Sequence, residues 1–151
     1  MTREAWLART LVELADTLVD DFDIVDLLTT LTDRSMDVFD VAAAGIMLVA
    51  PEGDLRVITS SSETMRMVEL FELQSREGPC LDCYLSGEVV ANGDLAVDDG
   101  GWLQFTPVAL AAGFRAVDAV PMRLRRQVIG ALNLFHTEPS PLSDDLSAGP
   151  G

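Results

Sequence analysis

Hydrophobic and polar positions alternate in two distinct rhythms along the 151 residues. Near the start, Leu7, Leu11, Leu14 and Leu18 recur at alternating four- and three-residue steps, with Glu13, Asp16 and Asp20 on the other faces. This is the spacing of an apolar seam on a helix, and such a seam requires an apolar partner. The acidic stretch 20–23 then separates it from a second helix. That helix is N-capped by Asp23 and carries Ile24, Leu27, Leu28, Leu31 and Val38 on its inner face.

From Val41 to Ala50 the run is small and apolar throughout. It is followed by the turn Pro51-Glu52-Gly53-Asp54 and by the alternating Leu55, Val57 and Thr59, which together predict a β-hairpin in the sheet core. Ser61 or Ser62 caps a third helix bearing Met65, Val68 and Leu73, ending near 74–76. Pro79 and Gly87 bracket a short helix of about two turns, because proline suits a first helical position and glycine the residue after the last. A strand is predicted over 88–91 and is broken at Asn92-Gly93-Asp94. A helical stretch follows over 102–112, kinked by Pro107 and stopped at Gly113. Two closing strands, 114–122 and 127–136, are joined by the turn Arg123-Leu124-Arg125-Arg126.

The sum is about five strands and four or five helices. Since the strands arrive in hairpins, the pattern favours an α+β fold, with a central antiparallel sheet and helices on both sides, over a doubly wound one. One domain over 5–138 accounts for the length. The tail 139–151, with Ser143, Asp144 and Asp145 running into Ala148-Gly149-Pro150-Gly151, is expected to be disordered or the truncated start of a further helix.

Charge narrows the partners. Ten Lys and Arg against 25 Asp and Glu give a formal charge of −15, which repels phosphate backbones and anionic headgroups, so neither nucleic acid nor membrane is expected as a partner. No stretch approaches the roughly 18 apolar residues of a membrane span, and the N-terminus lacks a signal-peptide core, so a cytoplasmic location is expected. Cys80 and Cys83 are therefore expected to be reduced.

The order of elements resembles the GAF domain over 5–136. EGPCLDCYLSGEVV (77–90), WLQFTPVALAAGFRAVDAVPMRLRRQVIGALNLF (102–135) and the acidic spacer between them are similar to the GAF domains joined to ANTAR domains in actinobacterial regulators. The resemblance implies a GAF-like, PAS-related fold and a sensor role. In that family the ANTAR part binds RNA to prevent transcription termination, and that part is absent from this sequence, so antitermination is not assigned to it.

Candidate chemistry is sparse. Cys80 falls in the first turn of the short helix, where the dipole favours a thiolate; Glu77 and Asp82 oppose it, and burial as a small apolar residue is the ordinary role of a free cysteine. Cys80 and Cys83 share a helix face, yet His136 is the single histidine, and a closed zinc set is not available. At the end of a strand, His136 is expected to face the surface. No metal or cofactor is expected. Arg76, Arg115, Arg123, Arg125 and Arg126 could meet an anionic ligand, but solvated charge is their default. No phosphate loop, Ser/His/Asp set or paired catalytic carboxylates stand at interpretable spacing, and catalysis is not expected.

In domains resembling GAF, the open face of the sheet, roofed by irregular segments, holds the ligand. This nominates Met47, Phe71, Cys80, Cys83, Tyr84, Trp102, Phe105 and Met122 as ligand-binding, against the alternative that the same side chains only fill the core. Leu7, Leu11, Leu14 and Leu18 are nominated as a homodimer seam. The expected function is a non-catalytic sensory or regulatory module that binds a small ligand or dimerises. The alternatives are a GAF-fold thiol enzyme of the free methionine sulfoxide reductase type, or a degenerate domain acting only through protein contacts.

Overall fold

A computed structural model describes residues 24–140. The leucine seam, the Asp23 cap and residues 141–151 lie outside the described residues. Helix α1 (Ile24–Phe39) is followed by the hairpin β1 (Ala43–Val49) and β2 (Leu55–Ser60), then by α2 (Glu63–Ser75) and α3 (Pro79–Ser86). A short strand β3 (Val90–Asn92) leads through an irregular loop to α4 (Phe105–Ala111), and β4 (Ala116–Leu124) and β5 (Gln127–His136) close the chain.

The strands form one five-stranded sheet in the order β2-β1-β5-β4-β3, and every pairing is antiparallel. Strand alternation sorts side chains to two faces. Ala44, Ile46, Val120, Met122, Leu132 and Leu134 meet Leu28, Leu31 and Phe39 of α1. Ala43, Met47, Val117, Ala119, Ala131 and Phe135 point the other way, under α2, α3 and α4. The expected α+β architecture, an antiparallel sheet with helices on both sides, is what the chain adopts.

A bulge tunes the edge of the α1 face. Ile46 pairs with Thr59 and Met47 with Val57, so Ile58 is the extra residue. The bulge leaves Thr59 free to meet Thr32 of α1 hydroxyl to hydroxyl at 2.6 Å.

Several local expectations are corrected. Val38 is exposed, not buried, because the inner stripe of α1 runs through Leu28, Leu31, Ser35 and Phe39. The last helix begins at Phe105, not Trp102, so Pro107 sits in its first turn, where the missing N–H costs no bond and no kink results. β3 runs over 90–92 rather than 88–91. β4 continues to Leu124, which pairs with Gln127. This shortens the basic turn to Arg125 and Arg126, with Arg125 left-handed at φ 60°.

Candidate functional site

The segment 77–80 is the hub of the face opposite α1, and each of its residues has a physical task. Pro79 occupies the first turn of α3, and Gly87 ends that helix at φ 73°, donating its N–H to Cys83 O. The residue before Pro79 is Gly78, which has no side chain to cap the helix. The missing acceptor comes from α2: Glu72 Oε2 receives the N–H groups of Cys80 at 2.7 Å and Leu81 at 3.1 Å. Gly78 permits this approach, since a Cβ there would lie 2.5 Å from the Glu72 side chain, at a φ of +145°.

α4 uses the same device. Its N-cap, Gln104, makes no side-chain cap bond. Instead Glu77 Oε1 accepts from Gln104 N–H and, at 2.9 Å, from Phe105 N–H. Asp82 of α3 ties the loop between them by accepting the Trp102 indole N–H at 2.9 Å. Three carboxyl groups therefore hold the roof through backbone and indole donors, each favourable because a side-chain oxygen accepts from an N–H that would otherwise lack a partner.

Beneath this roof lies a polar cluster. Glu69 and Glu72, three residues apart on α2, are both fully buried against the sheet. Glu69 accepts the Ser60 hydroxyl at 2.5 Å and the Asn133 amide at 3.0 Å. It rests on Gly45, where a Cβ would come within 2.7 Å of both its oxygens. Asn133 also hydrogen-bonds the Cys80 thiol. Glu72 Oε1 and Asn133 Oδ1 are buried with no hydrogen-bond partner among the described residues. Loss of solvation raises the Glu69 carboxyl to about 7 and the Glu72 carboxyl to about 8, against the lowering effect of their hydrogen bonds. Burial, reinforced by Glu72 and Glu69, pushes the Cys80 thiol well up.

The nominated residues divide among separate places. Met47, Cys80 and Cys83 pack together with Leu55, Ala119 and Ala131, and Tyr84 borders them. Trp102 and Phe105 belong to a neighbouring aromatic group in which Trp102, Phe105, Phe135 and Phe114 meet edge to face in sequence, with centroids 5.0–6.4 Å apart. Phe71 is half-buried on α2. Met122 is not brought to this site: it faces α1 with Val120 and Leu132 on the opposite side of the sheet. A cavity of about 550 Å³ opens between β2, α2 and α3, lined by Asp54, Leu55, Leu73, Arg76 and Leu81.

Other expectations change as well. Glu77 and Asp82 serve as acceptors for α4 and Trp102; the carboxylates that oppose a Cys80 thiolate are Glu72 and Glu69. His136 is 7% exposed, not surface-facing, and its Nε2 meets Asp118 Oδ2 at 2.9 Å. Among the arginines, Arg115 makes a two-bond contact with Asp94, and Arg123 donates to Gly87 O. Glu69, Glu72 and Asn133 were not nominated from sequence. The signal for the two glutamates was the spacing Met65, Val68, Glu69, Glu72, the i, i+3, i+4, i+7 stripe of a buried helix face; Asn133 shares the parity of Ala131 and Phe135 along β5.

The sequence matches the family model of the GAF domain over residues 23–147. The chain belongs to the GAF domain family. Solved structures agree at the level of fold. The GAF domain of an Acinetobacter phosphoenolpyruvate-protein phosphotransferase is 15% identical, with a TM-score of 0.60 over 95% of this chain and 86% of that one. Free methionine-R-sulfoxide reductase from Neisseria meningitidis, solved with its substrate, is 17% identical, with a TM-score of 0.57 over 98% and 90%. A Staphylococcus aureus NreA protein mutated in its nitrate binding site is 16% identical, with a TM-score of 0.59 over 83% and 99%. No curated protein matches the sequence. As a GAF domain, the chain places its carboxylate-held roof on the three-helix face of the sheet and α1 on the other. No helix among the described residues is long and apolar enough to cross a membrane.

Proposed function

We propose that this GAF domain is a non-catalytic sensory or regulatory module, which binds a small ligand beneath the roof and pairs with a second copy through its N-terminal helices. The observation that carries the reading is the setting of Cys80. A thiol enzyme that reduces a sulfoxide requires a thiolate within reach of substrate. Cys80 is fully buried, faces two carboxylates and has its pKa pushed upward, the reverse of an activated nucleophile. The cluster around it is instead dense in hydrogen-bonding groups held in fixed positions, which suits recognition.

The likeness of residues 77–90 and 102–135 to the sensor halves of GAF-ANTAR regulators extends the proposal to transcription regulation, with the RNA-binding part on another segment or partner. Native mass spectrometry of the purified chain is expected to show a retained small molecule, and a thiol-dependent assay on free methionine sulfoxide is expected to give no turnover. Turnover that disappears in Cys80→Ser would overturn the proposal in favour of an enzyme. A chain that retains nothing and binds only proteins would reduce it to a contact module.

A further inference from the structure

The cavity of about 550 Å³ between β2, α2 and α3 is lined by two kinds of side chain. Leu55, Leu73 and Leu81, one from each element, form an apolar wall. Leu55 is buried in the cluster beneath the roof, and Leu73 and Leu81 pack against that cluster while staying half-exposed. Asp54 and Arg76 supply the rest, and both are exposed. Neither side chain makes a hydrogen bond or an ion pair among the described residues, although the two border one cavity and carry opposite charge.

The walls are fixed by hydrogen bonds that leave those charges unused. Asp54 is placed by its carbonyl, which accepts the Ala50 N–H at 2.7 Å across the β1–β2 turn. Leu81 is placed by its N–H, which donates to Glu72 Oε2 at 3.1 Å and so sets the gap between α2 and α3. Arg76 ends α2 in the left-handed conformation, at φ 59° and ψ 35°, with its N–H donated to Glu72 O. Glycine is the favoured residue at such a helix end, because a Cβ crowds the backbone there. Arginine therefore keeps a strain that glycine would relieve, while no described residue pairs with its guanidinium.

The ligand chemistry follows from the two free charges. A carboxylate alone would suit Arg76 and be repelled by Asp54, and an amine alone would do the reverse. The formal charge of −15 on the chain further disfavours an anion. A zwitterion satisfies both side chains without net charge, and an aliphatic body attached to it covers the leucines. We propose that this cavity binds a small aliphatic zwitterion of the free amino acid class, its carboxylate on the Arg76 guanidinium, its ammonium on the Asp54 carboxylate and its hydrocarbon against Leu55, Leu73 and Leu81. The inference rests on the sensory reading above and names the ligand's chemistry and its place at the β2 edge of the roof.

Titration calorimetry with L-leucine tests this, against isocaproate, which lacks the ammonium, isoamylamine, which lacks the carboxylate, and glycine, which lacks the hydrocarbon. Leucine is expected to bind saturably, and each of the other three about tenfold more weakly or worse. Arg76→Gly is expected to weaken leucine binding about tenfold or more while raising the urea midpoint, because glycine relieves the strained helix end. An arginine that served only the fold would not couple lost binding to gained stability. In the unaltered chain, leucine should shift the amide resonances of Leu55, Leu73 and Leu81 most. The proposal is overturned if leucine does not saturate, if any of the other three compounds matches it, or if the shifts fall elsewhere. It is equally overturned if Arg76→Gly retains affinity or lowers the midpoint. Any of these results, with another small molecule retained in native mass spectrometry, leaves the sensory reading standing; sulfoxide turnover lost in Cys80→Ser removes that reading itself.

Discussion

Glu72 occupies a helix position that an apolar side chain could fill without losing solvation. What it gains there is specific: its Oε2 closes the first turn of α3, a task Gly78 cannot perform. The consequence for stability follows from the direction of the pKa shifts. Glu69 and Glu72 titrate at about 7 and about 8 in the fold, above the ordinary 4.5, so the folded state binds more protons than the unfolded one between those limits. Their stabilisation is complete below pH 4.5, falls as pH rises, and is gone once pH passes about 8. Urea midpoints should therefore be higher at mildly acidic pH than at mildly alkaline pH. The difference should shrink in the Glu69→Gln, Glu72→Gln double variant, and an unchanged difference would assign the effect to other groups.

These two residues were hidden in the sequence because carboxylates on a helix are usually solvated, and only their registry with Met65 and Val68 marks them as buried. Cys80 under the roof was legible from the Pro79 and Gly87 brackets. Met122 could have been placed by parity, since it follows Val120 by two along β4 and so shares its α1-facing side. His136 could not, because its partner Asp118 is set by the β4–β5 register, a long-range property.

At the scale of elements, α3 and α4 share an unusual construction: each begins without a side-chain cap of its own and borrows a carboxylate from a preceding segment. Boundaries and brackets were readable from Pro, Gly and apolar periodicity, but the borrowed caps join residues that only the folded chain brings close. Replacing Glu77 by alanine should release the N–H groups of Gln104 and Phe105 and destabilise the domain by about 1–2 kcal/mol, the usual cost of a lost helix cap. Hydrogen exchange should accelerate first at those two amides. If exchange there is unchanged while β5 is affected, Glu77 acts by some other route.

For the molecule as a whole, the formal charge of −15 bears on association. Two copies brought together by the proposed Leu7, Leu11, Leu14 and Leu18 seam repel at long range, and salt screens that repulsion while leaving apolar packing intact. Sedimentation velocity should show a dimer that tightens as sodium chloride is raised, and Leu11→Asp with Leu14→Asp should yield monomer. A monomer at every concentration and salt level would remove the seam from the proposal.

The alternation of β5 carries one last implication. Asn133 points under the roof, while its immediate neighbours Leu132 and Leu134 press on α1 from the other side. A strand is a stiff lath one residue thick, and packed interiors leave no slack for its two surfaces to move separately. Any tilt of β5 that lets Asn133 follow a guest must swing both leucines against the helix behind, so the sheet itself is the lever, with no relay of side chains around its edge.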